Sequence, residues 1–213
     1  TLLWVGMMGY GARHLEFTND YRVFFSKENP QLKAFEDLQD QYSRNDNVMF
    51  VLTPKQGDVF TAENLRAIQW LTEESWQVPF NSRVDSITNF QHTRALEDDL
   101  MVEDLVPDDA ELTPGRISRI RRTALAEPLL LNRLIAPDGR VTGVNVTIEL
   151  PGINPIAENP KVVDFVRALK QRFLHRYPGW ELRMTGIIVM NQAFPEASQY
   201  DMTHLVPVMF LVF

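Results

Sequence analysis

The amino-acid sequence predicts an α+β sandwich in which two strand–helix–strand units share one sheet. Short apolar strands at residues 48–52 and 141–150 are each followed by a run with apolar residues at helical spacing. Each helical run is followed by a further strand, which gives units at about 47–90 and 141–187. Hydrophobic residues form 45% and charged residues 23% of the 213 residues, so the chain has the composition of a globular domain with a buried core.

The first unit is preceded by a helix and contains one more. Residues 30–42 are predicted to be an amphipathic helix, opened by an asparagine–proline pair that is typical of helix starts. The continuous apolar run at 48–52 predicts a strand buried on both faces. Thr61 is the predicted N-cap of the next helix, which ends before Pro79, and a strand is predicted at 84–90.

An acidic segment at 91–112 separates the two units and is predicted to be a connector. It holds eight acidic residues and one basic residue, Arg94. A helix capped by Thr113 follows, and its arginines share one face: Arg116, Arg119 and Arg122. A solvated connector, or one that pairs with these arginines, is favoured over a Ca²⁺ site because the regular calcium-loop spacing is missing.

The second unit completes the fold. Strands are predicted at 129–136 and 141–150, and apolar and polar residues alternate strictly from Val144 to Leu150, so one face of that strand is buried. Asn159 and the proline after it are the predicted start of a helix, and a last strand begins near Trp180. Two such units in one sheet, with helices on one side, give a ferredoxin-like sandwich.

Composition and motifs exclude several classes of function. The net charge of −7 argues against a nucleic-acid partner. The absence of cysteine excludes disulfides and thiolate sites. No glycine-rich nucleotide fingerprint and no paired histidine spacing is present, so no cofactor and no metal are predicted. Ser86, His92 and Asp85 lie close in sequence, but no nucleophile-elbow motif accompanies them, and we predict that the protein is not an enzyme.

Both ends of the sequence are apolar. Residues 1–14 begin with an uncharged run, and residues 204–213 end in LVPVMFLVF. Each run is shorter than the about 20 residues that a membrane-spanning helix needs. We expect 1–14 to be the end of one transmembrane helix and 204–213 the start of the next, with a water-exposed domain at 15–203. On composition alone, each run fits a buried terminal strand or helix as well as it fits part of a membrane helix.

Three separated stretches resemble one family of membrane proteins. They are RVDSITNFQHTRALEDDLMVED at 83–104, which follows a tryptophan-x-x-proline, FTNDYRVFFSKENPQLKAFE at 17–36, and AFPEASQYDMTHLVPVMFLV at 193–212. Together they resemble the first extracytoplasmic loop of resistance-nodulation-division (RND) superfamily exporters, between the first two transmembrane helices. The nearest branch holds the mycobacterial large membrane proteins (MMPL family), the hopanoid exporters and the Patched-like proteins. The short loop favours this lipid-exporter branch over tripartite drug pumps.

The resemblance implies a porter-like domain on the periplasmic side of the inner (plasma) membrane, in a proton-driven exporter of lipids or other hydrophobic compounds. The proton-relay carboxylates of that family lie in later membrane helices, so none is assigned here. The implied partners are a lipid or hydrophobic small molecule, the exporter's membrane domain and its second extracytoplasmic loop, with a homo-oligomer left open. A membrane-tethered lipid-sensing or protein-interaction module without transport activity is the alternative, since fold does not determine function.

Aromatic residues are the candidates for a hydrophobic substrate path, because ligand pockets are lined mainly by apolar side chains. The candidates are Phe24, Phe25, Trp70, Trp76, Phe80 and Phe90. Packing in the hydrophobic core is the alternative for each of them.

Overall fold

The structure is a computed structural model that describes residues 25–26, 28–41, 46–96 and 99–212. The helices are α1 (Pro30–Gln41), α2 (Ala62–Ser75), α3 (Pro114–Ala126), α4 (Pro155–Arg176) and α5 (Ile187–Val212). The strands are β1 (Asp46–Pro54), β2 (Asn81–Asp85), β3 (Gln91–Leu96), β4 (Asp99–Asp104), β5 (Thr142–Ile148) and β6 (Trp180–Thr185).

The main sheet has four strands in the order β2-β5-β1-β6, and every neighbouring pair is antiparallel. Because β5 is antiparallel to both β1 and β2, these two run parallel to each other and are joined by α2. By the same reasoning β5 and β6 run parallel and are joined by α4. The two strand–helix–strand units therefore interleave, and the predicted ferredoxin-like α+β sandwich is confirmed.

One face of this sheet and two helices form the core. Val48, Phe50 and Leu52 of β1 are fully buried, as are alternate residues of β5 from Val144 to Ile148. Leu65, Ile68 and Leu71 of α2 and Val166, Leu169 and Phe173 of α4 join the same cluster. The alternation predicted for β5 is confirmed, whereas the other face of β1 is only half-buried, so the prediction of a strand buried on both faces is wrong.

Helix starts were predicted with mixed success. Thr61 and Thr113 are the N-caps of α2 and α3, and their side chains accept hydrogen bonds from the backbone N–H groups of Asn64 and Arg116. The start predicted at Asn159 is wrong, because α4 begins at Pro155. The carboxylate of Glu158 in the first turn accepts hydrogen bonds from the backbone N–H groups of the three residues that precede the helix, 152–154.

Two predicted strands differ from the structure for local reasons. The strand predicted at 84–90 ends at Asp85, because the Asn89 side chain accepts from Ser86 N and donates to Val84 O and so closes a turn. Residues 129–136, predicted to be a strand, form turns with isolated bridges only. Asn132 in this segment has a φ of 61°, a left-handed conformation that interrupts a strand.

The acidic segment 91–112, predicted to be a connector, contains the β3–β4 hairpin. Its base is held to the core by backbone hydrogen bonds from Leu105 N to Phe90 O and from Val106 N to Thr88 O. Arg66 of α2 donates to the carbonyl oxygens of Asp108 and Ala110 at 2.7 and 2.6 Å. The segment is therefore attached to the domain through residues 105–110.

Helix α5 continues from the sheet to Val212, and Arg167 of α4 holds its first half through two 2.8 Å hydrogen bonds to Glu196. Residues 204–212, predicted to begin a membrane helix, are the last turns of α5. Among the helices that the structure describes, none is long and apolar enough to cross a membrane. Residues 1–14 lie outside the described residues, and the predicted membrane connections at both ends stay predictions.

Candidate functional site

A cleft of about 490 Å³ that could hold a ligand lies on the sheet face that α2 and α4 leave uncovered. Its floor is a row of residues paired across three strands. Met49 of β1 is in register with Asn145 of β5, and Asn145 is in register with Asp85 of β2. These residues alternate with the buried core positions, so their side chains point away from the helices.

The walls of the cleft come from two segments that are not regular strands. One wall is the turn after β2, which includes Asn89 and Phe90. The other wall is residues 129–134, which follow α3. This second wall is tethered to β5, because Leu134 O accepts hydrogen bonds from Gly143 N at 2.9 Å and from the Thr142 hydroxyl at 2.8 Å.

The cleft has both apolar and polar surface. The apolar lining consists of Met49, Phe90, Leu129, Leu130 and Leu134. The charged and amide lining consists of Arg83, Asp85, Asn89, Gln91, Arg133 and Asn145. A volume of this size lies within the range of about 300–1,000 Å³ that is usual for small-molecule sites.

The charged side chains of the cleft are not equivalent. Arg83 is paired with Asp85, with 2.6 Å between Nη2 and Oδ1. Arg133 is exposed, and within the described ranges its guanidinium has no hydrogen-bond or ion-pair partner. The cleft therefore carries one neutralised arginine and one arginine available to a ligand.

Of the predicted substrate-path residues, Phe90 is the one that lines this cleft. Trp76 is half exposed and lines a separate, smaller depression with Thr88 and Asn89. The cleft and this depression share Asn89 in their lining, so Phe90 and Trp76 lie near the same turn but line different pockets.

The other candidate aromatics lie elsewhere. Trp70 packs against Phe173 and Tyr177, with ring centroids 6.2 and 5.9 Å apart, and so belongs to the helix side of the core. Phe80 has a φ of 61° in the turn before β2 and packs against the core. Phe25 is half exposed ahead of α1, and Phe24 lies outside the described residues.

Most of the cleft lining was not among the predicted site residues, including Met49, Leu129 and Arg133. Arg133 stands within the apolar stretch predicted to be a strand, and a lone arginine in such a stretch was the available signal. The interpretation of that stretch as a strand gave Arg133 no place in a site, whereas the structure places it in a wall of the cleft.

Ser86, Asp85 and His92 do not form a hydrogen-bonded relay in the described part of the chain. The Ser86 hydroxyl is buried and lies 2.8 Å from the Thr88 hydroxyl and 3.0 Å from Asn89 Oδ1. The Asp85 carboxylate instead accepts from Arg83 Nε at 2.7 Å. Ser86 therefore stabilises the turn after β2.

The acidic hairpin and the arginine face of α3 do meet. Glu103, Asp104, Arg116 and Arg119 line one small depression. Burial raises the pKa of Asp104 above its ordinary value, and the Asp108 carboxylate adds to this shift. Across the ranges that the structure describes, no group of three or more histidine or acidic side chains is arranged to hold a metal ion.

No family model matches this chain, and no curated protein matches it at a significant level.

Proposed function

We propose that the chain is the extracytoplasmic domain of a proton-driven RND-type exporter, with no catalytic activity of its own, and that its cleft contacts lipid or other hydrophobic cargo. The observation that carries this proposal is the cleft on the open face of the sheet, both of whose walls present apolar side chains. A sandwich whose sheet is covered on one face has its other face available for a ligand or for another domain.

The chemistry of the cleft supports a hydrophobic ligand. Leu129 is 57% exposed on one wall and Phe90 is half-buried on the other, so apolar surface is presented from both sides. The floor adds Met49, whose flexible thioether adapts to ligands of different shape. Transport also needs release, and an open cleft of this kind binds cargo without enclosing it.

Helix α5 supports the proposed membrane location. Large apolar side chains are exposed along it, and all but Tyr200 fall within one broad stripe: Met190, Phe194, Met202, Leu205, Val208 and Met209. Such a stripe on a protein surface is typical of contact with another apolar surface. In the proposed exporter, the membrane domain or the second extracytoplasmic loop would cover this stripe.

The interaction-module alternative is supported by the β3–β4 hairpin. Leu100, Met101 and Val102 are consecutive exposed apolar residues, and Leu100 is 74% exposed. Because successive strand residues point to opposite faces, both faces of the hairpin carry apolar surface. A protein partner is the usual cover for a surface of this kind.

Native mass spectrometry of the chain with a bacterial polar lipid extract tests the proposal. We expect lipid adducts on the parent chain and their loss in Leu129→Asp, which places a charge on the apolar wall. Ile153→Asp is the matched control, because Ile153 is 88% exposed and outside the cleft. Equal adducts on both variants, or none on the parent chain, would contradict the proposal. Loss of a protein partner in Leu100→Asp, without any lipid effect, would favour the alternative.

A further inference from the structure

We propose that the cleft selects amphiphiles with an anionic head group, a carboxylate or a phosphate monoester, and that Arg133 is the residue that binds this head group. This inference rests on the proposed function, because it assumes that the apolar walls hold the hydrophobic part of the cargo.

Arg133 stands where the charged and apolar parts of the cleft lining meet. Arg133 belongs to the same wall as Leu129 and Leu134, so a cation and apolar side chains border one space. The wall is fixed at this point, because Leu130 O accepts the backbone N–H groups of Arg133 and Leu134 at 3.1 and 2.8 Å. A guanidinium on a fixed turn offers planar, paired donors, which match the oxygens of a carboxylate or phosphate.

Three other arginines are held by partners within the domain. Arg172 is paired with Glu74 at 2.9 Å, Arg121 is paired with Asp58, and Arg66 donates to backbone carbonyl oxygens. These side chains have a structural role in the domain. Within the described residues Arg133 has no such role, so its donors are available to a ligand.

The charges of the cleft lining do not cancel. Arg83 and Asp85 neutralise each other at the other end of the floor, so Arg133 leaves the lining with a single positive charge. A monoanionic head group would neutralise this charge, whereas a cationic one would add to it. Asn145 and Gln91 add amide donors without charge. The expected order of affinity is therefore anionic, then neutral, then cationic amphiphile.

The experiment is a set of calorimetric or NMR titrations below the micelle concentration. The probes are decanoate, decyl phosphate, decanol and decyltrimethylammonium. Arg133→Gln is compared with Arg140→Gln, which removes the same charge from an exposed position outside the cleft. We expect Arg133→Gln to weaken the binding of decanoate or decyl phosphate about five- to tenfold, which is the size expected for the loss of a solvent-exposed hydrogen bond between charged groups. The affinity for decanol should not change. The tighter of the two anionic probes identifies the head-group class.

A second variant changes affinity in the opposite direction. Asp85→Asn removes the carboxylate that neutralises Arg83 and frees a second guanidinium in the cleft. We expect this variant to bind the anionic probes about two- to fivefold more tightly, since an exposed pair contributes about 0–1 kcal/mol. Weaker anion binding in Asp85→Asn would overturn the inference.

The possible outcomes separate the two proposals. Equal binding of decanoate and decanol, unchanged in Arg133→Gln, would overturn the head-group inference and leave the apolar cleft in place. Failure of every probe to bind would overturn the proposed function as well. Equal weakening by Arg133→Gln and Arg140→Gln would indicate an effect of overall charge and would also overturn the role of Arg133.

Discussion

Two glycines, Gly143 in the sheet and Gly186 at the end of a strand, differ in how well the structure would accept a methyl group, although both lie close to other atoms. Gly186 joins β6 to α5 with a φ of +118°, and a Cβ built there would overlap the backbone carbonyl of Asn47. Gly143 lies in β5, and a Cβ built there would overlap the terminal methyl group of Met49. A backbone atom of a central strand cannot move aside, whereas the end of a methionine side chain can.

The expected free energies of unfolding follow from this difference. In Gly186→Ala the positive φ alone costs about 1–3 kcal/mol, and overlap with β1 adds to that cost. In Gly143→Ala a reduced unfolded-state entropy contributes about 0.4–1 kcal/mol of stability. A displaced Met49 rotamer costs about 0.5–1.5 kcal/mol, so the net change is within about 1 kcal/mol of zero.

Denaturant unfolding measures both variants directly. We expect Gly186→Ala to lose more than about 3 kcal/mol or not to fold, and Gly143→Ala to match the parent chain closely. Met49 lines the cleft, so its displacement in Gly143→Ala should also weaken binding of an apolar probe without a loss of stability. A Gly143→Ala variant as unstable as Gly186→Ala would refute the reasoning.

Three further predictions concern the stability of the fold. Phe173→Ala removes a fully buried ring that contacts Trp70 and should cost about 3–5 kcal/mol by denaturant unfolding. Thr61→Ala removes the N-cap of α2 and should cost about 1 kcal/mol in the same assay. Backbone N–H groups, that of Asn154 above all, lower the pKa of Glu158 from its ordinary value of 4.5. The ionised carboxylate therefore stabilises the protein at neutral pH, where Glu158→Gln should have a lower free energy of unfolding than the parent chain. This deficit should disappear as the pH falls below 4.5, because the carboxylate is then protonated. A deficit that persisted in acid would contradict this assignment.

The fold was largely predictable because its signals are local. Alternation in β5 and the caps at Thr61 and Thr113 each depend on a few neighbouring residues. The errors came from contacts between distant segments. The hairpin at 91–104 has an acidic composition typical of a connector, yet Arg66 and the backbone of residues 88–90 hold its base.

The candidate site was less predictable because it is assembled from separate parts of the chain. Its floor combines Met49, Asp85 and Asn145, which are far apart in sequence and meet only through strand register. The aromatic candidates were chosen by residue type, and type alone cannot distinguish Phe90 in the cleft from Trp70 in the core. Arg133 was missed because its segment has the composition of a strand but the backbone of a turn.

The central claim is that hydrophobic cargo binds in the cleft on the open face of the sheet. Photocrosslinking with a diazirine-bearing decanoic acid, followed by peptide mapping, tests it most directly. We predict crosslinks within residues 83–91 and 129–134, with loss of both in Leu129→Asp. Crosslinks confined to the hairpin at Leu100–Val102 or to the exposed stripe of α5 would contradict the claim.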